Sequence, residues 1–190
     1  LVVPVGTNGS DGPRMKLMFF KKNGEQWTYS HDMNLGAMFI LFKNPPALDL
    51  NDNTLVASVY QEVFVIEYDH TSQQWEKTAS LKASDPDKDP FFGGPVIIDG
   101  SAFGRSIKLT QDHIFVGAPG KNFDTTLDVG AVYVYQRNPD GTWSSGTESA
   151  RLLPQHKTGN IYFGTSLDVL HNTLMTGGIS SGAIPGKVFV

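Results

Sequence analysis

The chain has 190 residues, a formal net charge of −4 and no cysteine. This length suffices for one or two domains with a buried core, whereas the lack of cysteine excludes disulfides, thiolate metal sites and cysteine nucleophiles. The slight acidity and the lack of a basic block argue against nucleic-acid binding, and no apolar run approaches the ~18 residues that a membrane-spanning helix requires.

The first predicted strands are residues 1–6 and 17–20, and a third begins at Trp27. They are short β-branched and aromatic runs bounded by Gly, Pro, Asn or Asp, which is typical of strands joined by turns. The only N-glycosylation sequon, Asn8-Gly9-Ser10, lies in the Gly-rich turn between the first two strands. Because such turns are exposed, Asn8 is the expected glycosylation site if the protein is secreted.

A second group of predicted strands comprises residues 47–50, 53–58 and 63–66, with a fourth strand beginning at Trp75. Its first turn contains Asp49, Asn51 and Asn53, which alternate as in a calcium-binding loop. Calcium takes roughly six to eight oxygen ligands, more than these three side chains supply. We therefore interpret this segment as a tight turn.

The clearest group of strands begins at Phe103-Gly104. Its second strand ends in Gly117-Ala118-Pro119, its third is the Val-Tyr run at 131–135, and its fourth is predicted to begin at Trp143. Another group opens at Phe163-Gly164, 60 residues after the first opening. Such a fixed period is the signature of a repeat architecture.

The recurring residues suit sheets that converge on an axis. Gly104 and Gly117 lack a Cβ, so backbones can approach closely there. Pro119 has no amide hydrogen and suits the end of a strand, while Phe103 supplies a large apolar face between sheets. Four-stranded antiparallel sheets around an axis are the blades of a β-propeller. The predicted fold is therefore all-β, and specifically a propeller.

These motifs resemble the FG-GAP repeats of integrin α-subunit propellers. Phe103-Gly104, Gly117-Ala118-Pro119 and residues 130–135 match that repeat, and Phe163-Gly164 opens a further copy. Residues 57–59 depart from it, because Ala-Ser-Val replaces Gly-Ala-Pro. The resemblance implies a propeller that binds other proteins outside the cell or at its surface, and blades that in some relatives hold calcium.

Residues 1–190 are accordingly predicted to be one propeller segment with three to four blades. Closed propellers have about four to eight blades, and the chain begins without Met or a signal-like segment. We therefore expect either a fragment of a larger propeller or closure by self-association. The predicted parts are a partial blade at 1–35, a blade at 36–84, an insertion at 85–102, a blade at 103–155 and a partial blade at 161–190.

An alternating acidic cluster, Asp85, Asp87 and Asp89, lies in the predicted insertion. Its spacing is similar to that of a calcium loop, but Pro90 replaces the required Gly and Lys88 would stand among the ligands. A solvated loop is the alternative interpretation. Calcium is the ion that this acidic cluster would bind, and no other cofactor is expected.

No pattern in the chain indicates catalysis, since it has neither a His-x-x-x-His pair nor a Gly-x-Ser-x-Gly elbow. We expect a non-catalytic module in adhesion or structural assembly, with partner contacts on the loops at 84–102 and 118–129. Expected partners are other protein chains or the rest of a larger propeller, and glycans. Two alternatives stay open: an accessory propeller domain of a secreted hydrolase, and a calcium-stabilised carbohydrate-binding module.

Overall fold

Fourteen strands in four antiparallel sheets make up the described parts of the chain, which contain no helix. This confirms the predicted all-β class. Each sheet has three or four strands, and none of these sheets closes on itself. The chain divides into two compact units, Leu1–Pro46 and Ala47–Val190. The computed structural model describes residues 1–9, 12–37, 46–59, 61–86, 101–179 and 186–190.

The first unit contains a three-stranded meander with the order β1 (Val2–Gly9), β2 (Gly12–Asn23) and β3 (Gln26–Ala37). Along β2, the buried side chains of Met15, Leu17 and Phe19 alternate with more exposed ones. This period of two is expected for a strand that has one covered face. The third strand begins at Gln26, one residue before its predicted start at Trp27.

The first sheet of the second unit has four strands in sequence order. Its fourth strand begins at Gln74, one residue before the predicted start at Trp75. Its second strand, β5 (Thr54–Val59), is buried throughout, and four of the eight residues of the third strand, β6 (Glu62–Asp69), are buried, which fits their runs of β-branched residues. The strands are β4 (Leu48–Asn51), β5 (Thr54–Val59), β6 (Glu62–Asp69) and β7 (Gln74–Leu81).

The next sheet again has four strands, but its last strand begins later than predicted. Trp143 lies in the loop before this strand, where it is buried and its ring centre is 5.6 Å from the Arg137 guanidinium. The packing of the indole inside the loop delays the strand by seven residues. The strands are β8 (Ser106–Leu109), β9 (His113–Ala118), β10 (Ala131–Gln136) and β11 (Ala150–Leu152).

The last sheet has three described strands, β12 (Ser166–Leu170), β13 (Thr173–Gly178) and β14 (Lys187–Phe189), paired in sequence order. The Phe163 ring before β12 packs edge-on against Phe189, with the ring centres 4.9 Å apart. This contact holds the start of the sheet against its third strand.

The three sheets of the second unit pack through their first strands. Strand β8 lies beside β4 and β5 of the preceding sheet and beside β12 of the following sheet. The core between the first two of these sheets contains aliphatic residues of β5 to β10 together with the aromatic side chains of Phe103, Tyr133 and Trp143. Successive sheets of this unit are thus joined at one edge.

Candidate functional site

The glycines of the repeated motif lie where successive sheets touch. A Cβ at Gly104 would stand 2.8 Å from the Cβ of Ser58 on β5 of the preceding sheet. A Cβ at Gly164 would stand 2.6 Å from the carbonyl oxygen of Ala131 and 3.2 Å from the Cα of Gly117. The distances of 2.8 and 2.6 Å are too short for a side chain, so each Phe-Gly turn is seated directly on the backbone or Cβ of the sheet before it.

The other motif residues complete this junction. Phe103 and Phe163 are buried, and Phe103 packs edge-on against Tyr133 with the ring centres 5.4 Å apart. Ala118 and Pro119 are buried at the end of β9. All seven motif residues therefore lie in the contacts within and between sheets.

A row of charges crosses the three first strands. Asp49 on β4 accepts a hydrogen bond of 2.7 Å from the amide of Leu109 on β8. The ammonium of Lys108 on β8 lies 3.8 Å from Asp49 and 3.3 Å from Asp168 on β12. Asp49, a candidate position of the incomplete calcium pattern, thus joins two sheets.

Asp85, the first residue of the predicted acidic cluster, is surrounded by cations and a phenol. Its carboxylate accepts a 2.8 Å hydrogen bond from Tyr133 and pairs with Arg151, and the ammonium of Lys121 lies 3.4 Å away. Lys121 is only 5% exposed and also donates to the main-chain oxygen of Asp85 at 2.5 Å. These groups bind the chain after β7 to the following sheet.

The ion pairs set the protonation of Asp85. Partial burial raises the pKa of its carboxyl, but the hydrogen bond from Tyr133 and the charges of Lys121 and Arg151 outweigh that effect. The pKa consequently lies below its ordinary value, and Asp85 is an anion at neutral pH.

The segment around Asp85 is held along its whole described length. Its backbone forms a parallel bridge between Leu81 and Gly146. Ser84 donates to Glu148 through its amide at 3.0 Å and its hydroxyl at 2.7 Å, and the Tyr135 hydroxyl donates to the carbonyl of Lys82 at 2.7 Å. Burial raises the pKa of Tyr135, which keeps this phenol protonated as a donor.

The loop predicted at residues 118–129, one of the two predicted partner-binding loops, is ordered by its own hydrogen bonds and by the next repeat. Phe123 and Thr126 exchange two backbone hydrogen bonds of 2.9 and 2.8 Å. The Asp128 carboxylate accepts from the Tyr162 hydroxyl at 3.1 Å. Leu127, at the loop surface, is 61% exposed.

Cations gather around the aromatic ring of this loop. The ring centre of Phe123 lies 5.0 Å from the Lys157 ammonium, 5.5 Å from the Arg151 guanidinium and 6.0 Å from Lys121. Such distances allow cation–π attraction. We call Phe123, Leu127, Arg151 and Lys157 the Phe123 surface. Arg151 and Lys121 are already paired with Asp85, so the exposed Lys157 beside the aromatic ring is the group that favours contact with an acidic partner.

A small polar cleft of about 200 Å³ lies where the first two sheets of the second unit meet. It is bordered by the β4–β5 turn, the β8–β9 turn and the loop that follows β10. Asp52 in the first turn has a left-handed backbone, with φ of 49°. The cleft is lined by side chains that include Asn51, Asn53, Thr110, Gln111, Arg137 and Trp143.

The remaining predicted site residues are placed as follows. Asn8, predicted to lie in the turn between the first two strands, is instead in β1, opposite Pro13 of β2, because the strand continues to Gly9. Asp87 and Asp89 lie outside the described residues, as does most of the predicted partner-binding loop at 84–102. Across the described ranges, no group of three or more His, Asp or Glu side chains is arranged to hold a metal ion.

Sequence reasoning did not single out Lys121, Arg137 or Arg151. Arg137 bridges two sheets, with its guanidinium 3.4 Å from Glu67, and Lys121 and Arg151 reach Asp85 across 36 and 66 residues. Only the position of Lys121, two residues after the Gly-Ala-Pro motif, offered a sequence signal. Single basic residues are ordinarily solvated, so the pattern alone does not mark them.

No protein-family model matches the chain, and no curated protein matches its sequence. Among the residues that the structure describes, no helix is long and apolar enough to cross a membrane.

Proposed function

We propose that this chain is part of an FG-GAP β-propeller and acts outside the cell or at its surface by binding other proteins, not by catalysis. The observation that carries the proposal is the seating of Gly104 against Ser58 and of Gly164 against Gly117 and Ala131. In each case a Phe-Gly turn contacts the preceding sheet at a point with no room for a side chain.

The position of the first strands also supports the propeller. Strands β4 and β12 lie on either side of β8, as expected when sheets radiate from a common axis with their first strands innermost. The charge row of Asp49, Lys108 and Asp168 runs across the same strands. Blades held in this way supply a rigid base for the loops at their ends.

The proposed contact with a partner is the Phe123 surface. Its loop is ordered by hydrogen bonds to the next repeat, so little conformational entropy is lost when a partner binds. Leu127, in the same loop as Phe123, offers an exposed apolar group, and Arg151 and Lys157 lie over the Phe123 ring. Aromatic residues and arginine are enriched in protein interfaces, and the cations favour an acidic partner.

An adhesion assay tests the binding role. Cells of the source organism would be allowed to attach to surfaces coated with the wild-type protein or with the double variant Leu127→Asp/Lys157→Glu. We expect attachment to the wild type and its loss in the variant, because both changes place negative charge on the Phe123 surface. The matched control is Leu170→Asp on β12, where the side chain is 63% exposed. Equal attachment to both variants would refute the assigned surface.

Mass spectrometry of the native polypeptide tests the propeller and the secretory route. A protomer well above 20.8 kDa would support further blades in the same chain, and a protomer of that mass would point to closure by several copies. Enzymatic deglycosylation that lowers the mass of the wild type but not that of Asn8→Gln would support secretion and glycosylation of Asn8.

A further inference from the structure

The sheet of β8 to β11 receives the Phe163-Gly164 turn at one pair of residues, Ser106 on β8 and Gly117 on β9. These two residues lie opposite each other in the ladder. The Ser106 hydroxyl donates to the carbonyl oxygen of Gly164 at 2.7 Å, and a Cβ at Gly117 would overlap that same oxygen. A serine paired with a glycine therefore forms the seat for the turn that opens the next sheet.

The last sheet has the same pair of residues at the same register. Ser166 on β12 lies opposite Gly177 on β13, 60 residues after Ser106 and Gly117 respectively. Among the described residues that are not neighbours of Gly177 in the chain, only Ser166 has an atom within 4 Å of the Cβ that Gly177 would carry. Ser166 is also exposed. This second seat is thus formed, and no turn from the described ranges fills it.

The apolar residues around the second seat are exposed, whereas a counterpart on the preceding sheet is buried. Residues that lie opposite one another in an antiparallel ladder share a face, so Val188 on β14 shares the face of Gly177. Val188 is 74% exposed, but Val132, opposite Gly117 in the preceding sheet, is fully buried. Met175, two residues before Gly177, lies on the same face and is 40% exposed. We call the outward face of the last sheet the set of Ser166, Asp168, Met175, Gly177 and Val188.

The charge row across the first strands reaches this outward face with a carboxylate. Its signs alternate from Asp49 to Lys108 to Asp168, with carboxylate–ammonium distances of 3.8 and 3.3 Å. Asp168 follows Phe163 by five residues, as Lys108 follows Phe103. The Asp168 side chain is still 65% exposed beside Lys108. A strand placed beyond β12 would continue the alternation with a cation, so the charges favour a Lys or Arg five residues after the Phe of an incoming turn.

The turns of Phe103-Gly104 and Phe163-Gly164 are both seated within the chain itself, so the described part of a second copy offers no vacant Phe-Gly turn. We infer that the outward face docks the next repeat of the proposed propeller. The Phe-Gly turn of that repeat seats on Gly177, the carbonyl oxygen of its glycine accepts from the Ser166 hydroxyl, and a basic residue five positions after its Phe pairs with Asp168. The inference rests on the proposed propeller and specifies the chemistry of the partner repeat.

A synthetic peptide of residues 101–118, which contains Phe103-Gly104 and Lys108, is the probe for the whole chain. Methyl NMR would follow the five methionines, and Met175→Leu would identify the resonance of interest. We expect the peptide to shift the Met175 resonance saturably, with a Kd on the order of a millimolar because the free peptide must also order its strands. A peptide carrying Lys108→Glu should bind about tenfold more weakly. No saturable shift with the unsubstituted peptide would overturn the inference.

Substitutions on the outward face test its chemistry. Val188→Asp places a charge in the expected apolar contact, and the exposed position leaves the fold intact, so we expect binding to be lost. Asp168→Lys should weaken binding of the unsubstituted peptide and restore binding of the Lys108→Glu peptide, which a purely structural role would not produce. Glu76→Lys, exposed on β7, changes the charge equally and is the matched control. Binding that survives Val188→Asp, or no restoration by Asp168→Lys, would contradict the assigned face.

A second copy of the chain is the competing occupant, and sedimentation of the chain alone tests it. We expect no dimer that Val188→Asp dissociates; such a dimer would assign the outward face to self-association and overturn the inference. Failure of this inference is distinguishable from failure of the proposed binding role. If the peptide does not bind but cell attachment still depends on the Phe123 surface, the docking of a further repeat is refuted and the binding role stands.

Discussion

Glycine at position 104 is required by its backbone and by its surroundings. The residue has a φ of +84°, in the region that favours glycine, and Ser58 leaves no room for a Cβ. Gly141 has nearly the same backbone, with φ of +82°, but no atom lies within 4 Å of the Cβ that it would carry. Comparing the cost of adding a Cβ at the two positions therefore distinguishes backbone strain from a clash between sheets.

We predict that Gly104→Ala lowers the free energy of unfolding by about 3 kcal/mol, from backbone strain plus overpacking, whereas Gly141→Ala lowers it by about 1 kcal/mol. Urea unfolding of the two variants would measure the difference. Adding Ser58→Gly to Gly104→Ala removes the contacting Cβ and should recover part of the loss. Equal losses at the two glycines would show that the contact between sheets contributes nothing.

The Asp85 carboxylate stabilises the fold only while it is charged. Its pKa in the folded protein lies below the ordinary value because the favourable contacts with Tyr133, Lys121 and Arg151 outweigh the effect of burial. A lowered pKa means that the stabilisation is fully present above the unfolded pKa of about 4. It is lost as the pH falls through the lower folded pKa.

We predict that Asp85→Asn lowers the free energy of unfolding by roughly 1–2 kcal/mol at pH 7, a modest figure because the carboxyl is partly exposed. Denaturant unfolding as a function of pH would show the difference from wild type shrinking below about pH 4. Asp112→Asn, at an exposed turn, is the control. A difference that stayed constant down to pH 2 would indicate that charge is not involved.

At the scale of single elements, the strands of the same sheet differ greatly in burial. Five of the six residues of β10 are buried, whereas all three residues of β11 are exposed. Strand β10 also pairs on both sides, with β9 and β11. Protection from local opening rises with burial and with pairing, so the two strands should open independently at different free energies.

Hydrogen exchange followed by mass spectrometry of peptides would measure this gradient. We predict that amides of β9 and β10 exchange at least about a hundredfold more slowly than those of β11 and β14, which corresponds to a few kcal/mol of opening free energy. The short peptide containing β5, also buried, is an internal reference. If β11 exchanged as slowly as β10, the sheet would be opening as one cooperative element.

At the scale of the whole molecule, the second unit has a core formed from its own residues. The buried cluster extends from Val56 to Trp143, and the side chains packed on its margin, such as Ala47 and Leu153, also belong to this unit. A unit with its own core can in principle fold alone.

We therefore predict that residues 47–190, expressed without the first unit, give a β-sheet circular dichroism spectrum and a single cooperative thermal transition. Combining Val116→Ala with Ile114→Ala, both fully buried on β9, should lower the transition temperature of this unit by well over 10 °C. A gradual transition in the unsubstituted unit would instead show that its core is insufficient alone.

The all-β class and most strand starts could be predicted from the sequence. Short β-branched runs between turn residues define strands locally, and Trp27 and Trp75 each lie second in a strand, as their phasing indicated. Trp143 broke the same pattern, because the indole packs near Arg137 inside a loop. Its strand starts only at Ala150, so a periodic aromatic residue does not by itself say whether it packs within a strand or before one.

The candidate sites depended on contacts that no local pattern contains. Asp85 was predicted as a member of an acidic loop, and the structure surrounds it with Tyr133, Arg151 and the buried Lys121. The polar cleft joins two turns that are about 60 residues apart in the chain. Side chains separated by such distances meet only when sheets pack, and single charged residues in a sequence do not indicate their partners.

By itself, the sequence determined the all-β character and the repeat, because these follow from local propensity and from period. Tertiary structure alone decided which sheets touch, which cations surround Asp85 and where Trp143 packs. The physical reason is range: propensity acts between neighbours along the chain, whereas ion pairs and clefts depend on the packing of distant segments.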